Sequence, residues 1–246
     1  FLLDTSRSMD AQDLNPNRLE VSKDLIINIV DHVKNRTDFF GLISFAGIAE
    51  IEAALTDDYN FFKMRTNSVG ISPDDVQGTD FLNALRLAID TLKMSKNKNH
   101  IIVLITDGED QEKEWEKILP ELKEEQITVF TVGVGKSTGA PIPQKDEDGN
   151  ITGYKIDKQG ETIKTVLDEL SLIKIKDATG GSYFRLTDIS GIEQIVNGLD
   201  RFERSVLGKR LSVKKINRFQ YPLILGFIFL ILEMLLSDRR LRWKRD

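Results

Sequence analysis

Five oxygen-bearing side chains in three short segments are the residues of this 246-residue chain whose types and spacing suit chemistry. Asp4, Ser6 and Ser8 stand in the run Asp4-Thr5-Ser6-Arg7-Ser8, directly after an apolar strand end. Thr79 lies in Gln77-Gly78-Thr79-Asp80, and Asp107 follows the apolar run 100–106 in Thr106-Asp107-Gly108. Asp4 can put a carboxylate on or near a cation, and the two serines can add neutral hydroxyl oxygens on the same side of the turn. Thr79 and Asp107 would bring the set close to what Mg²⁺ demands, about six oxygens of which several are neutral or water. Each segment alone has a plainer explanation. Asp4 and Ser6 can make a turn that caps the next helix, Thr79 can be a helix N-cap, and Asp107-Gly108 can be a turn. A metal site requires all three segments on one rim.

The hydropathy pattern supplies such a rim. Apolar runs at 1–4, 39–45, 48–55, 100–106, 127–134 and 182–186 read as strands. The runs at 100–106 and 127–134 are apolar without alternation, as in strands buried on both faces. Between them fall helical stripes: Leu19, Ile26, Ile29, Val30 and Val33 after Asn15-Pro16; Phe81, Leu85, Ala88 and Leu92 within 79–93; Trp115, Ile118, Leu119 and Leu122 around Pro120. Helices are also expected over 166–178, ending at Gly180-Gly181, and along Ile192, Ile195, Val196 and Leu199. Strands joined by crossover-length helices imply an α/β, doubly wound, Rossmann-like and mostly parallel sheet. Ligands then bind at the carboxyl ends of its strands, so residues just after Leu3, Ile105 and Val134 should share one edge. Segment 136–162, with Pro141, Pro143, Asp148-Gly149-Asn150, Gly153 and Gly160, reads as an inserted hairpin loop.

Composition removes several function classes. Without cysteine there are no disulfides, thiolate metal sites or cysteine nucleophiles. Residues 201–246 carry twelve Lys/Arg against four Asp/Glu, a balance of +8, which leaves −13 on the first 200 residues within a total of −5. An acidic body argues against nucleic acid as a partner. His32 and His100 are placed on a helix and before a strand, there is no G-x-S-x-G elbow, and Gly133-Val134-Gly135-Lys136 lacks the spacing of a P-loop. The chain is therefore read as not an enzyme. A metal-dependent hydrolase or phosphotransferase at the same site, and a membrane scaffold whose site holds no metal, stand as the alternatives.

The C-terminal part reads as a membrane anchor. Residues 207–218 form a basic juxtamembrane linker, 219–237 a transmembrane helix and 238–246 a basic tail, following a domain over 1–206. Five basic residues on each side leave orientation undecided by charge. At the other end, Phe1-Leu2-Leu3 reads as the middle of a strand, and the sequence is expected to be a fragment of a longer chain.

The three oxygen-bearing segments resemble the metal-ion-dependent adhesion site of von Willebrand factor A (VWA) domains, in which DxSxS is followed by a loop Thr and then an Asp after a buried strand. Phe45-Ala46-Gly47, Gly78-Thr79-Asp80, residues 106–110, Val132-Gly133-Val134-Gly135, residues 139–143, Thr179-Gly180-Gly181 and Phe219-Gln220-Tyr221-Pro222 are together similar to the bacterial aerotolerance (Bat) VWA membrane proteins, B-type members especially. Gln77 departs from that pattern, which often has a second Gly there. The resemblance implies a VWA fold and a metal held by Asp4, Ser6, Ser8, Thr79 and Asp107. Serines and threonine would coordinate directly, and the aspartates directly or through water. It implies Mg²⁺, with Mn²⁺ or Ca²⁺ as substitutes, and a partner protein whose acidic residue completes the coordination. It further implies an assembly with other Bat-type membrane proteins and a MoxR-type ATPase, the VWA domain outside the bacterial inner membrane and the C-terminus in the cytoplasm.

Overall fold

A computed structural model describes residues 1–33, 39–72, 78–95, 100–109, 114–146, 149–188, 191–198 and 229–233. The chain divides into two units, Phe1–Leu199 and Asp200–Asp246. In the second, residues 229–233 are helical, with Phe229 and Leu230 exposed. The expected transmembrane helix 219–237 otherwise lies outside the described residues. Among the described residues, no helix is long and apolar enough to cross a membrane.

The first unit is built on a six-stranded sheet. Its strands are β1 (Leu2–Asp4), β2 (Phe40–Phe45), β3 (Ala49–Thr56), β4 (Ile101–Thr106), β5 (Thr128–Val134) and β10 (Tyr183–Leu186), in spatial order β10-β5-β4-β1-β2-β3. All neighbouring pairs are parallel except β2 with β3. Only three residues, Ala46, Gly47 and Ile48, separate β2 from β3, which permits an antiparallel hairpin but no crossover. The chain winds from β1 outward to β3, then returns to the far side of β1 and winds outward through β4, β5 and β10. The winding direction thus reverses between β1 and β4. Asp4 ends the first of these strands, and Asp107 follows the second.

The absence of alternation in 100–106 has its cause in burial on both faces. Ile102 and Leu104 enter a cluster with Leu2, Phe45, Phe81, Leu85, Trp115, Leu122, Leu172 and Ile175, while their neighbours Val103 and Ile105 are buried as well. That cluster is covered by α3 (Phe81–Lys93), a 3₁₀ turn at Trp115–Ile118 running into α4 (Leu119–Glu124), and α5 (Glu169–Thr179). Pro120 sits in the first turn of α4, where its missing N–H costs nothing. Helices α1 (Arg18–Val33) and α2 (Tyr59–Ser68) pack on one another, and residues 191–198 form a further helix that buries Ile192, Ile195 and Val196.

The structure differs from the hydropathy pattern in three places. Helix α2 has no apolar stripe to announce it, since only Phe62 and Thr66 are buried while Phe61 and Met64 are exposed. Its start is set by Asp58, whose side chain accepts from the Asn60 and Phe61 N–H groups. Helix α3 begins at Phe81, and its cap is Asp80, accepting from Asn83 N–H, so Thr79 is not the N-cap. Helix α5 begins at Glu169 behind the cap Asp168, not at 166, because Lys164–Thr165 is taken up as strand β9. Strand β9 pairs with β6 (Ala140–Pro141), and β7 (Pro143–Lys145) pairs with β8 (Ile151–Tyr154), both antiparallel.

Phe81 is fully buried and meets Phe45 edge-on, with ring centroids 5.9 Å apart. This contact ties the start of α3 to the end of β2. Phe81→Ala is expected to lower unfolding free energy by about 3–5 kcal/mol in urea titration. A loss under about 1 kcal/mol would show that the ring does not anchor the helix.

Candidate metal centre

Asp4 closes β1, and the β2 and β4 ladders on its two sides bury it completely. One carboxylate oxygen, Oδ1, accepts the Ser6 N–H at 2.8 Å, closing an Asx turn. The other, Oδ2, accepts the Thr106 hydroxyl at 2.6 Å across the strand pair. The same Thr106 hydroxyl accepts the Gly108 N–H at 3.0 Å. Ser6 precedes the 3₁₀ turn Arg7–Asp10, but its hydroxyl makes no capping bond. It lies instead 3.0 Å from the Ser8 hydroxyl, and both serines are buried. A capping turn therefore accounts for Asp4 in part and for neither serine.

Asp107 follows β4 and is also fully buried. Oδ2 accepts Arg18 Nη1 at 3.0 Å and the Thr165 hydroxyl at 3.1 Å, and Oδ1 takes the Glu109 N–H at 3.3 Å. Gly108 has φ +83°, and a Cβ there would lie 1.9 Å from the Asp168 carbonyl oxygen. Only glycine permits both the turn and this close approach of α5's entry to the site. Thr79 is buried on the loop before α3, which is held to the end of β2 by Asp80 N–H donating to the Ala46 carbonyl at 2.9 Å. All five predicted oxygen donors thus belong to the carboxyl edge of β1, β2 and β4. Hydrogen bonds join Asp4 to Ser6 and, through Thr106, to the turn that carries Asp107. His100, by contrast, precedes β4 at the opposite edge.

Burial governs the electrostatics. It pushes the Asp4 carboxyl up, with the charge of Asp107 adding to the rise, to about 7, although the Thr106 and Ser6 hydrogen bonds oppose the shift. Glu109 is raised by its burial and then by Asp107. Arg18 is the counterweight. Burial disfavours its charge, but Asp13, Asp107 and Glu109 together raise its pKa above the ordinary value. Its guanidinium is wholly buried, with Nε and Nη2 on the two oxygens of Asp13 at 2.8 and 2.9 Å. Among the described residues, Asp4 has no cationic partner.

Two carboxylates and three hydroxyls, all shielded from bulk water, suit a hard, oxygen-preferring divalent ion. Among the described residues, no group of three or more His, Cys, Asp or Glu side chains could hold one. A cation here would draw on hydroxyls and water for most of its shell.

Hydropathy could not point to Arg18, Asp13 or Thr165. Arg18 looks like an ordinary polar first-turn residue of α1. The available signal was that a cation in a first turn opposes the helix dipole and so needs an anion nearby.

Comparisons with known proteins show the family and the fold. Residues 1–109 match the family model of the von Willebrand factor type A domain. The crystal structure of the conserved hypothetical protein BatB from Bacteroides thetaiotaomicron is 33% identical, with a TM-score of 0.69 over 82% of this chain and 97% of that one. The chain belongs to the Bat-type VWA proteins. An aerotolerance-related membrane protein from Bacteroides fragilis is 34% identical, with a TM-score of 0.67 over 80% of this Bat-type chain and 96% of the other. An uncharacterized protein of Borreliella burgdorferi is 26% identical over 96% of the chain, which spans 67% of its length. The mostly parallel α/β sheet is that of the VWA fold.

The buried Asp13–Arg18 pair leads to a pH-dependent prediction. Burial raises Asp13, but Arg18's hydrogen bonds, the Lys136 N–H and Arg18's charge outweigh it and hold its carboxyl below the usual range. A depressed folded pKa stabilises the fold above the unfolded pKa, and that stability is lost as pH falls through the folded value. Asp13→Asn should therefore cost about 1–3 kcal/mol at pH 7. The gap to wild type should narrow as pH drops below about 4. A gap that stays constant down to pH 3 in chemical denaturation would contradict this account of the pair.

Proposed function

We propose that this Bat-type chain is a metal-dependent protein-binding module, with a divalent cation held by Asp4, Ser6, Ser8, Thr79 and Asp107. One observation carries the reading: Asp4 is a fully buried carboxylate that feels the like charge of Asp107 and has no cationic partner among the described residues. A buried carboxylate without a counter-ion is costly. A divalent cation bound between the strand ends would supply the missing charge. The oxygen-only donor set favours Mg²⁺, with Mn²⁺ or Ca²⁺ as substitutes.

The chain's own residues would orient the site. Thr106 and the Ser6 N–H hold the Asp4 carboxylate, and Arg18 and Thr165 hold Asp107. The remaining donors are neutral hydroxyls, which would add no further negative charge to a divalent ion held here. An acidic side chain of a partner protein could then complete the shell. Neither histidine lies on this rim, His32 standing at the far end of α1 and His100 before β4, which favours a binding module over a hydrolase.

The wider setting belongs to the same proposal. Residues 1–206 would form the VWA domain with 136–162 as an inserted arm, 207–218 a basic linker, 219–237 a transmembrane helix and 238–246 a basic tail. The apolar stretch 221–236, with basic residues on both sides, supports the anchor. So does the kinship with a relative described as an aerotolerance-related membrane protein. The VWA domain would face away from the cytoplasm at a bacterial inner membrane, in an assembly with other Bat-type proteins and a MoxR-type ATPase.

Titration of the metal-stripped chain with Mg²⁺ and Mn²⁺ tests the centre. Wild type should gain thermal stability in a cation-dependent way, as expected for ligand binding to the folded state only. Asp4→Ala should abolish the gain. No cation-dependent shift in wild type, or an unchanged shift in Asp4→Ala, would end the metal reading. Capture of partners from solubilised membranes should also disappear in EDTA.

A further inference from the structure

The metal centre has a built-in positive charge beside it. Arg18 is completely buried at the start of α1, 89 residues away in sequence from the Asp107 it binds. Its Nη1 donates to Asp107 Oδ2 at 3.0 Å and to the Thr165 hydroxyl at 3.0 Å, while Nη2 reaches the Thr165 carbonyl at 3.4 Å. The opposite edge of the guanidinium is clamped by both oxygens of Asp13, and the Lys136 N–H holds Asp13 Oδ2 at 2.7 Å. Gly135, at φ +115°, leaves the space: a Cβ there would stand 2.6 Å from Arg18 Nε. The cradle is therefore shaped for a planar fork held at five points, which a lysine ammonium could not match.

We infer that Arg18 is a positioning residue that sets the cation affinity of this centre, by occupying one oxygen of Asp107 and offsetting its charge. This rests on the metal reading above. With Arg18 present, Asp107 Oδ2 already has two donors, and only Oδ1 is lightly engaged. Asp107 then supports the cation without giving it a full, unshared carboxylate. The guanidinium also repels a cation placed between Asp4 and Asp107, in surroundings where burial weakens screening. Arg18 thereby holds cation binding weaker than the five oxygens alone would make it. The bound ion keeps more of its charge for an incoming carboxylate. Arg18 was not legible as part of the site, because its partners come from the loop before α1, the end of β4 and strand β9.

The test measures Mg²⁺ and Mn²⁺ dissociation constants on the full chain by titration calorimetry, with circular dichroism and thermal melts to confirm folding. Arg18→Met removes the charge and keeps most of the stem. It should bind both cations at least about tenfold tighter than wild type, the scale on which a neighbouring full charge shifts an ionic equilibrium, while its metal-free form melts lower. Arg18→Lys, which keeps the charge, should stay near the wild-type affinity. Should Arg18→Met fail to fold, the double variant Arg18→Met/Asp13→Asn removes the carboxylate left opposite the missing guanidinium and should also bind more tightly. Equal or weaker binding in a folded charge-removing variant overturns the inference and leaves the metal reading intact. Cation binding absent from wild type and variants alike removes the metal reading itself, and this inference with it.

Discussion

Two carboxylates buried side by side at the ends of adjacent strands are the constraint around which this molecule is arranged. Asp4 and Asp107 lie where the winding of the sheet reverses, the place at which a doubly wound sheet leaves a crevice at its carboxyl edge. Like charges removed from water repel strongly. The fold answers with hydroxyl and N–H donors on both groups and with one buried guanidinium on Asp107. Among the described residues Asp4 receives dipoles but no cation, and burial makes its proton hard to remove. A divalent cation is the simplest species that would satisfy both groups at once.

The segment between β5 and α5 is part of that arrangement. Lys136 N–H holds Asp13, Lys145 pairs with Asp10 at 2.6 Å, Thr165 holds Asp107, and the Val166 N–H donates to Glu109 at 2.8 Å. Asp168 N–H adds a bond to the Asp107 carbonyl at 2.8 Å. These contacts run from both ends of the segment, and from β7 within it, to the loops that carry the candidate ligands. The loop read from the sequence as an inserted hairpin over 136–162, with the residues that follow it, is thus fastened to the candidate site by bonds that sequence spacing does not disclose.

Much of the fold could be read from hydropathy, for a physical reason. Strands β4 and β5 are buried on both faces, so nearly every side chain along them must be apolar, and such a run is hard to mistake. Helix α3 presents Phe81, Ala84, Leu85, Ala88 and Ile89 inward at helical spacing. Helix α2 offered no comparable signal, because it buries only two side chains and depends on a cap for its start. The start of α5 was misplaced for the converse reason. Val166 and Leu167 continue an apolar stretch, but the preceding residues pair with β6, so the helix waits for Asp168.

By itself the sequence determined which oxygens were available and that they would stand at strand ends, since residue type and hydropathy period are local properties. It also marked Asp4, Ser6, Ser8, Thr79 and Asp107 as candidates, through their spacing from the apolar runs. Only the tertiary structure decided what those oxygens face. Thr79 is left out of the α3 cap because Asp80 takes it, and Asp107 is half claimed by an arginine 89 residues earlier in the chain. Desolvation and charge pairing depend on which groups meet in space, and strand register and helix docking set that. The electrostatic character of the candidate site is therefore a property of the fold.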